Sequence, residues 1–207
     1  MDHIIIDAPY LPIGSGVDRT DTKDDDRYHL TEVIKYVQFC LGTDYKGKGF
    51  DNKALTMDVG FLWERTLERT WGDAMALRIG EVECDDILGS PDGLTEDDDI
   101  HDTAGKLVVT GTHEPCLEEY KFTWKSAKKS PTEDWYYMTQ IKSYCHMIGV
   151  NICVMRILYI MGDYKGSGPI YRVCRIVFEE EELTTNWGMI LKYAEDMRNK
   201  GVKHYGG

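Results

Sequence analysis

The chain has 207 residues, enough to close a real core and to make one domain, and no second domain is expected. An apolar fraction of 42%, with 13 Tyr and 5 Trp, excludes a disordered chain; no apolar run approaches the ~20 residues of a membrane span and no signal-peptide layout opens the chain, so a soluble, cytoplasmic protein is expected. A net charge of -12 excludes a body that attracts polyanions over its whole surface, but the acids gather at 21–26, 96–102 and 179–182, all expected to be exposed, while Lys121, Lys125, Lys128 and Lys129 form a local basic strip.

Residues 1–28 read as an N-terminal tether or loop, rich in Pro, Gly and Asp around one apolar run, Ile4-Ile5-Ile6. The run Asp-Arg-Thr-Asp-Thr-Lys-Asp at 18–24 lacks the central Gly and terminal Glu of a calcium loop, so it reads as a solvated acidic stretch. Residues 29–41 place Leu30, Val33, Ile34, Val37, Cys40 and Leu41 on one helical stripe that stops at Gly42, which predicts a core-facing helix. A Gly/Lys-rich loop follows at 44–52. A second helix over 57–71 carries Glu64 and Glu68 one turn apart, either ordinary surface carboxylates or groups turned toward a site.

Residues 78–84 and 87–94 predict two antiparallel strands with Asp85-Asp86 at the turn, the second delivering Asp92 in the triplet Pro91-Asp92-Gly93. That triplet is also a common reverse turn in which Asp bonds its own backbone. Residues 96–102 predict a solvated acidic loop, and 106–110 and 116–122 short strands, the last one central. Side chains alternate along a strand, so Glu119 and Lys121 project to one side and Tyr120 to the other. A charged pair in an otherwise apolar strand asks for a partner, which is either each other on an exposed sheet or a metal. With a second carboxylate from a neighbouring strand, the pair makes an oxygen-rich site suited to Mg2+ or Mn2+.

Residues 124–130 are a basic loop. Ser130-Pro131-Thr132-Glu133 is a capping box that predicts a sharp helix start, with the helix closed by Gly149. On that helix Gln140 and Tyr144 share a face. Strands at 151–160 and 169–178 predict a hairpin, and a last amphipathic helix spans 186–197 before a flexible tail at 201–207. The six cysteines, Cys40, Cys84, Cys116, Cys145, Cys153 and Cys174, are scattered singly and read as reduced core thiols, not as a zinc or iron-sulfur site.

Taken in order, Gly60-Phe61-Leu62-Trp63-Glu64, Pro91-Asp92, Glu119-Tyr120-Lys121 and Gln140-Ile141-Lys142-Ser143-Tyr144 resemble the PD-(D/E)xK nuclease superfamily, in its RecB-like and lambda-exonuclease-like branch. The chain departs from the CRISPR-associated relatives, which carry a four-cysteine iron-sulfur cluster. The resemblance implies an α/β restriction-endonuclease-like core over 29–200, a mixed central sheet flanked by helices. It implies Asp92, Glu119 and Lys121 as catalytic residues, and Glu64, Asp92, Glu119 and the carbonyl of Tyr120 as ligands of Mg2+ or Mn2+. Gln140, Tyr144, Ser90, Lys125, Lys128 and Lys129 would line a DNA cleft. Relatives of this kind digest DNA from duplex ends, so the expected activity is that of a metal-dependent exonuclease in recombination, repair or phage DNA metabolism. A homo-oligomer and a single-strand annealing recombinase are the expected partners. The same core serves endonucleases and junction resolvases, and a non-catalytic nucleic-acid or protein-binding module that kept the fold is the reading from a different class.

Overall fold

The computed structural model describes residues 27–43, 59–60, 62–63, 65–66, 79–102, 104–166 and 168–203. The elements are β1 (Tyr28–His29), α1 (Leu30–Cys40), β2 (Val82–Cys84), β3 (Ile87–Gly89), β4 (Gly93–Glu96), β5 (Ile100–His101), β6 (Leu107–Val109), β7 (Pro115–Thr123), a 3-10 turn (Pro131–Glu133), α2 (Trp135–Ile148), β8 (Ile152–Tyr159), β9 (Ile170–Val177) and α3 (Glu180–Asn199). The central sheet has the order β4-β7-β8-β9, with smaller sheets β1-β3-β2 and β5-β6.

β7 and β8 run parallel and are joined by α2, the crossover that parallel neighbours require, while β4 and β9 pair antiparallel on the outside. The sheet is therefore mixed. One face buries Leu117, Met155 and Ile157 under α1, α2 and α3, which contribute Val33, Ile34, Ile141, Tyr144, Trp187 and Ile190 among others. The other face holds Cys116, Ile152, Val154, Tyr171 and Val173, with Trp63 packed on them and edge-on to Tyr171 at 5.8 Å. Helical backbone at the described residues between 59 and 66, where Thr66 Oγ1 donates to the Leu62 carbonyl at 2.8 Å, puts a helix on this face too. The expected mixed sheet flanked by helices is what the chain forms. Among the described residues no helix is long and apolar enough to cross a membrane.

Several local expectations change. The strand expected over 87–94 is two strands in two sheets: β3 ends at Gly89, the chain turns through Ser90-Pro91-Asp92, and β4 starts at Gly93. Pro91 has no N–H to give a ladder and its ring fixes φ, so pairing stops there. The two-residue turn before it is as expected, with Asp85 and Asp86 at φ 50° and 60°, the left-handed pair of a tight hairpin.

The acidic stretch 96–102 is a solvated loop only in part: Glu96, Asp98, Asp99 and His101 are exposed. Glu96 closes β4, Ile100–His101 form β5, and Asp97 is completely buried. Asp97 accepts from Arg175 Nε at 2.7 Å and Nη2 at 2.6 Å, and from Thr112 N at 2.8 Å and Oγ1 at 2.9 Å. The expected helix start at Pro131 is a 3-10 turn held by the Ser130–Glu133 box; Asp134 then caps α2 through Tyr137 N at 3.2 Å. α3 begins at Glu180, not near 186, because Glu182 Oε2 accepts from Glu179 N at 3.2 Å and the acids of the first turn meet the positive end of the helix dipole.

Leu30, Val33, Ile34 and Val37 are buried as the stripe on α1 requires, but Cys40 and Leu41 are exposed, so the last turn projects past the core. Of the other thiols, Cys116, Cys145, Cys153 and Cys174 are buried and Cys84 is half-buried. Val202 packs on the core and its carbonyl accepts from Tyr28 Oη at 2.7 Å. The residues 1–26, the loop at 44–52, Glu64 and Glu68 lie outside the described residues.

Candidate active site

β7 is the second strand of the central sheet, hydrogen-bonded on both sides, and its alternation separates two polar groups. On the face under α2 stand Glu119, 2% exposed, and Lys121, whose Nζ donates to Glu119 Oε1 and, at 2.9 Å, to Gln140 Oε1. Gln140 in turn donates from Nε2 to Tyr144 Oη at 3.3 Å. Gln140 is only 7% exposed and Tyr144 2%, so both face inward from α2. On the opposite face Tyr120 Oη donates to Glu118 Oε2, and Arg156 closes on Glu118 Oε1 with Nε at 2.7 Å and Nη2 at 2.6 Å.

Asp92 reaches this strand from the turn before β4. The ladder partner of Glu118 is Gly93, and one residue earlier Asp92 Oδ2 accepts from Tyr120 N at 2.7 Å. The carboxylate thus satisfies a β7 N–H at the point where β4 has not yet begun. Ser90, in the same turn, has its Oγ 3.1 Å from Nε2 of His29, the residue that caps α1 and whose Nδ1 is 3.0 Å from Thr31 Oγ1.

His29 was not singled out by the sequence reading. Its only sequence signal is a position just ahead of an apolar-periodic run, where a cap is expected.

Asp92, Glu119, Tyr120, Lys121, Gln140 and Tyr144 are thereby linked around the middle of β7, with Ser90 in the turn that delivers Asp92. Lys125 lies one step further along: its Nζ pairs with Asp134 and sits 4.4 Å from the Tyr137 ring, over which Lys121 Nζ also lies, at 5.6 Å. Lys128 and Lys129 are exposed on the following loop. A separate, exposed group, Glu96, Asp98 and His113, brings one ligand atom from each residue within 4.8 Å of the others and shares no residue with the β7 set.

Burial pushes the Lys121 ammonium toward the neutral form, but the Glu119 and Asp92 carboxylates outweigh it and its pKa is raised, so Nζ keeps its proton. Burial likewise raises the Tyr144 hydroxyl, with the Glu119 charge adding to it, and Tyr144 stays a neutral phenol. The oxygen donors of Asp92, Glu119 and the Tyr120 carbonyl fit a hard divalent cation. Burial pushes the Cys116 thiol up to about 12 and raises those of Cys145 and Cys153 as well, so these three stay protonated.

An alkaline exonuclease from Laribacter hongkongensis, LHK-Exo, superposes on the chain with a TM-score of 0.50, at 14% identity over 84% of this chain and 89% of that one. The crystal structure of SSO0001 aligns at 15% identity over 83% of this chain and 75% of that one, with a TM-score of 0.49. No protein-family model and no curated protein sequence matches the chain. The likeness to LHK-Exo is one of fold, and it agrees with a restriction-endonuclease-like core.

Proposed function

We propose that the chain is a divalent-metal-dependent deoxyribonuclease, an exonuclease that hydrolyses phosphodiester bonds from duplex DNA ends, with Asp92, Glu119 and Lys121 as its catalytic residues. The observation that carries this reading is the Glu119–Lys121 pair, kept on an internal strand with Asp92 beside it and Gln140 against the ammonium. Taking such a pair out of water costs several kcal/mol per ion before the Coulomb term offsets it, and a well-packed apolar pair would serve stability as well or better. A fold shared with an alkaline exonuclease supports the same reading.

Asp92, Glu119 and the Tyr120 carbonyl would hold Mg2+ or Mn2+, with Glu64 as a further ligand. The ion, when bound, supplies Lewis-acid stabilisation of charge developing on the phosphate and the leaving oxygen. Lys121, protonated, acts as a fixed positive charge beside the scissile phosphate and as a donor that orients the attacking water. Gln140 aims Lys121, because its amide oxygen takes one of the three ammonium protons and its amide nitrogen is anchored on Tyr144. Asp92 ties its own position to β7 through Tyr120 N, so the two carboxylates stay in register. Lys125, Lys128 and Lys129 would receive the DNA backbone, and Ser90, bonded to His29, would line the cleft.

The test is incubation of end-labelled linear duplex and of closed circular DNA with Mg2+. The expected result is loss of linear DNA only, abolished by EDTA and by Asp92→Asn, which keeps an acceptor for Tyr120 N and removes the charge. Lys121→Ala is expected to abolish cleavage as well. Because that change leaves Glu119 buried without its cation, at a cost of roughly 3–5 kcal/mol, its fold is checked by circular dichroism. Cutting of the circle would reassign the chain as an endonuclease, and an Asp92→Asn protein that digests DNA at the wild-type rate would end the assignment.

A further inference from the structure

The loop between β7 and the 3-10 turn is held more firmly than a connector needs. Arg172 of β9, 8% exposed, donates from Nη2 to the Ala127 carbonyl at 2.8 Å and from Nη1 to the Lys129 carbonyl at 3.3 Å, with its guanidinium 5.2 Å from the Tyr159 ring. Ala127 N donates to the Gly162 carbonyl at 2.9 Å, and Tyr164 Oη donates to the Trp124 carbonyl. A buried guanidinium is expensive unless its protons are used; here Nη1 and Nη2 each give one to the backbone of one surface loop, while Nε has no hydrogen-bond partner among the described residues. That loop carries Lys128 and Lys129, whose ammonium groups make no ion pair or hydrogen bond among the described residues. The turn it is docked on carries Tyr164, 58% exposed at φ 62°, next to Lys165.

A rigid loop of unpaired cations fastened to an outward-facing aromatic ring is the chemistry that binds a single nucleic-acid strand. The lysines meet the phosphates, and the ring offers a stacking surface that any base can use. Duplex DNA, whose bases are already stacked, has no use for the ring. The loop starts beside the candidate active site, because Lys125, near its beginning and paired with Asp134, has its Nζ 4.4 Å from the Tyr137 ring, over which Lys121 Nζ lies at 5.6 Å. It is also locally basic on a chain of net charge -12, so it is a place where a polyanion is attracted rather than repelled.

We propose that Lys128, Lys129 and Tyr164 form a track for single-stranded DNA that leads away from Glu119 and Lys121. This rests on the nuclease reading for its purpose but not for its measurement. Arg172 is a positioning residue that holds the track in shape without touching the strand.

The experiment is fluorescence anisotropy of a labelled 12-nucleotide oligo-dT and of a blunt hairpin duplex, both in EDTA so that binding is read without cleavage. Tyr164→Ala is expected to weaken oligo-dT binding about tenfold, the loss of one stacked base, and to leave blunt-duplex binding unchanged. Lys128→Ala with Lys129→Ala is expected to weaken it further and to flatten the slope of log K against log salt by about 0.7 for each lost phosphate contact. Arg172→Lys, which cannot reach both carbonyls, is expected to fall between wild type and the double variant. Failure of the wild type to bind oligo-dT, or unchanged binding by Tyr164→Ala and the lysine variant, would overturn the track. Oligo-dT binding that depends on these residues in a protein that digests no DNA would leave the track standing and remove the nuclease reading.

Discussion

Asp97 is as inaccessible as the core leucines, yet it carries a charge that Arg175 and Thr112 satisfy with four hydrogen bonds. The Arg175 bond, resisted by burial and helped by Thr112, holds its carboxyl below the ordinary aspartate range. A depressed folded-state pKa gives stability that is present above the unfolded value, near 3.9, and lost as pH falls through the folded one. Urea titrations from pH 7 down to pH 2 are therefore expected to show wild-type stability falling below about pH 4, and the Asp97→Asn protein to lack that part of the fall. Asp97→Ala, which strands the Arg175 guanidinium, is expected to cost about 3–5 kcal/mol. A cost under about 1 kcal/mol, the range of exposed pairs, would mean that water reaches the site. Gly111 belongs to the same device: a Cβ there would stand 2.0 Å from the Asp97 carbonyl oxygen, so no side chain fits without moving the backbone.

Among the elements, β3 and α2 make the contact that decides how closely the helix carrying Gln140 and Tyr144 approaches. A Cβ on Gly89 would meet Met147 Sδ at 2.9 Å and Tyr144 Cε1 at 3.0 Å. Met147 can swing away, but Tyr144 is 2% exposed and its hydroxyl receives the Gln140 amide. Gly89→Val is expected to destabilise by about 1–3 kcal/mol and to lower cleavage by more than its loss of fold accounts for, since a displaced Tyr144 releases Gln140 and with it Lys121. Cleavage that tracks the folded fraction would separate this contact from the site.

What could be read in advance at this scale follows the range of the interactions. The α1 stripe, the Asp85-Asp86 turn, the Gly149 stop and the alternation that puts Glu119 and Lys121 on one side and Tyr120 on the other are set by residues within a few positions of one another. The burial of Asp97 by Arg175 and the meeting of His29 with Ser90 depend on residues brought from far along the chain. Propensity alone could not place them, and a charge in an acidic run reads as solvated until its partner is known.

At the scale of the whole molecule the two charge systems oppose each other, and salt separates them. The net charge of -12 repels itself throughout the folded body, an effect carried by exposed groups such as Glu180 and Glu181 at the head of α3. Raising NaCl from 0.1 to 1 M shortens the screening length from about 10 Å to about 3 Å, which relieves that repulsion. Buried pairs such as Asp97–Arg175 and Glu118–Arg156 are screened much less, so their attraction persists. The melting temperature is therefore expected to rise with NaCl over this interval. DNA affinity, measured in EDTA, is expected to fall over the same interval, because the local lysines lose the counterion release that drives phosphate contact. Differential scanning calorimetry and anisotropy on one salt series measure both. A melting temperature that falls with salt would mean that surface ion pairs, not net repulsion, dominate the electrostatics of the fold. DNA binding that is indifferent to salt would mean that the lysine strip makes no phosphate contacts, and both uses assigned to it would have to be withdrawn.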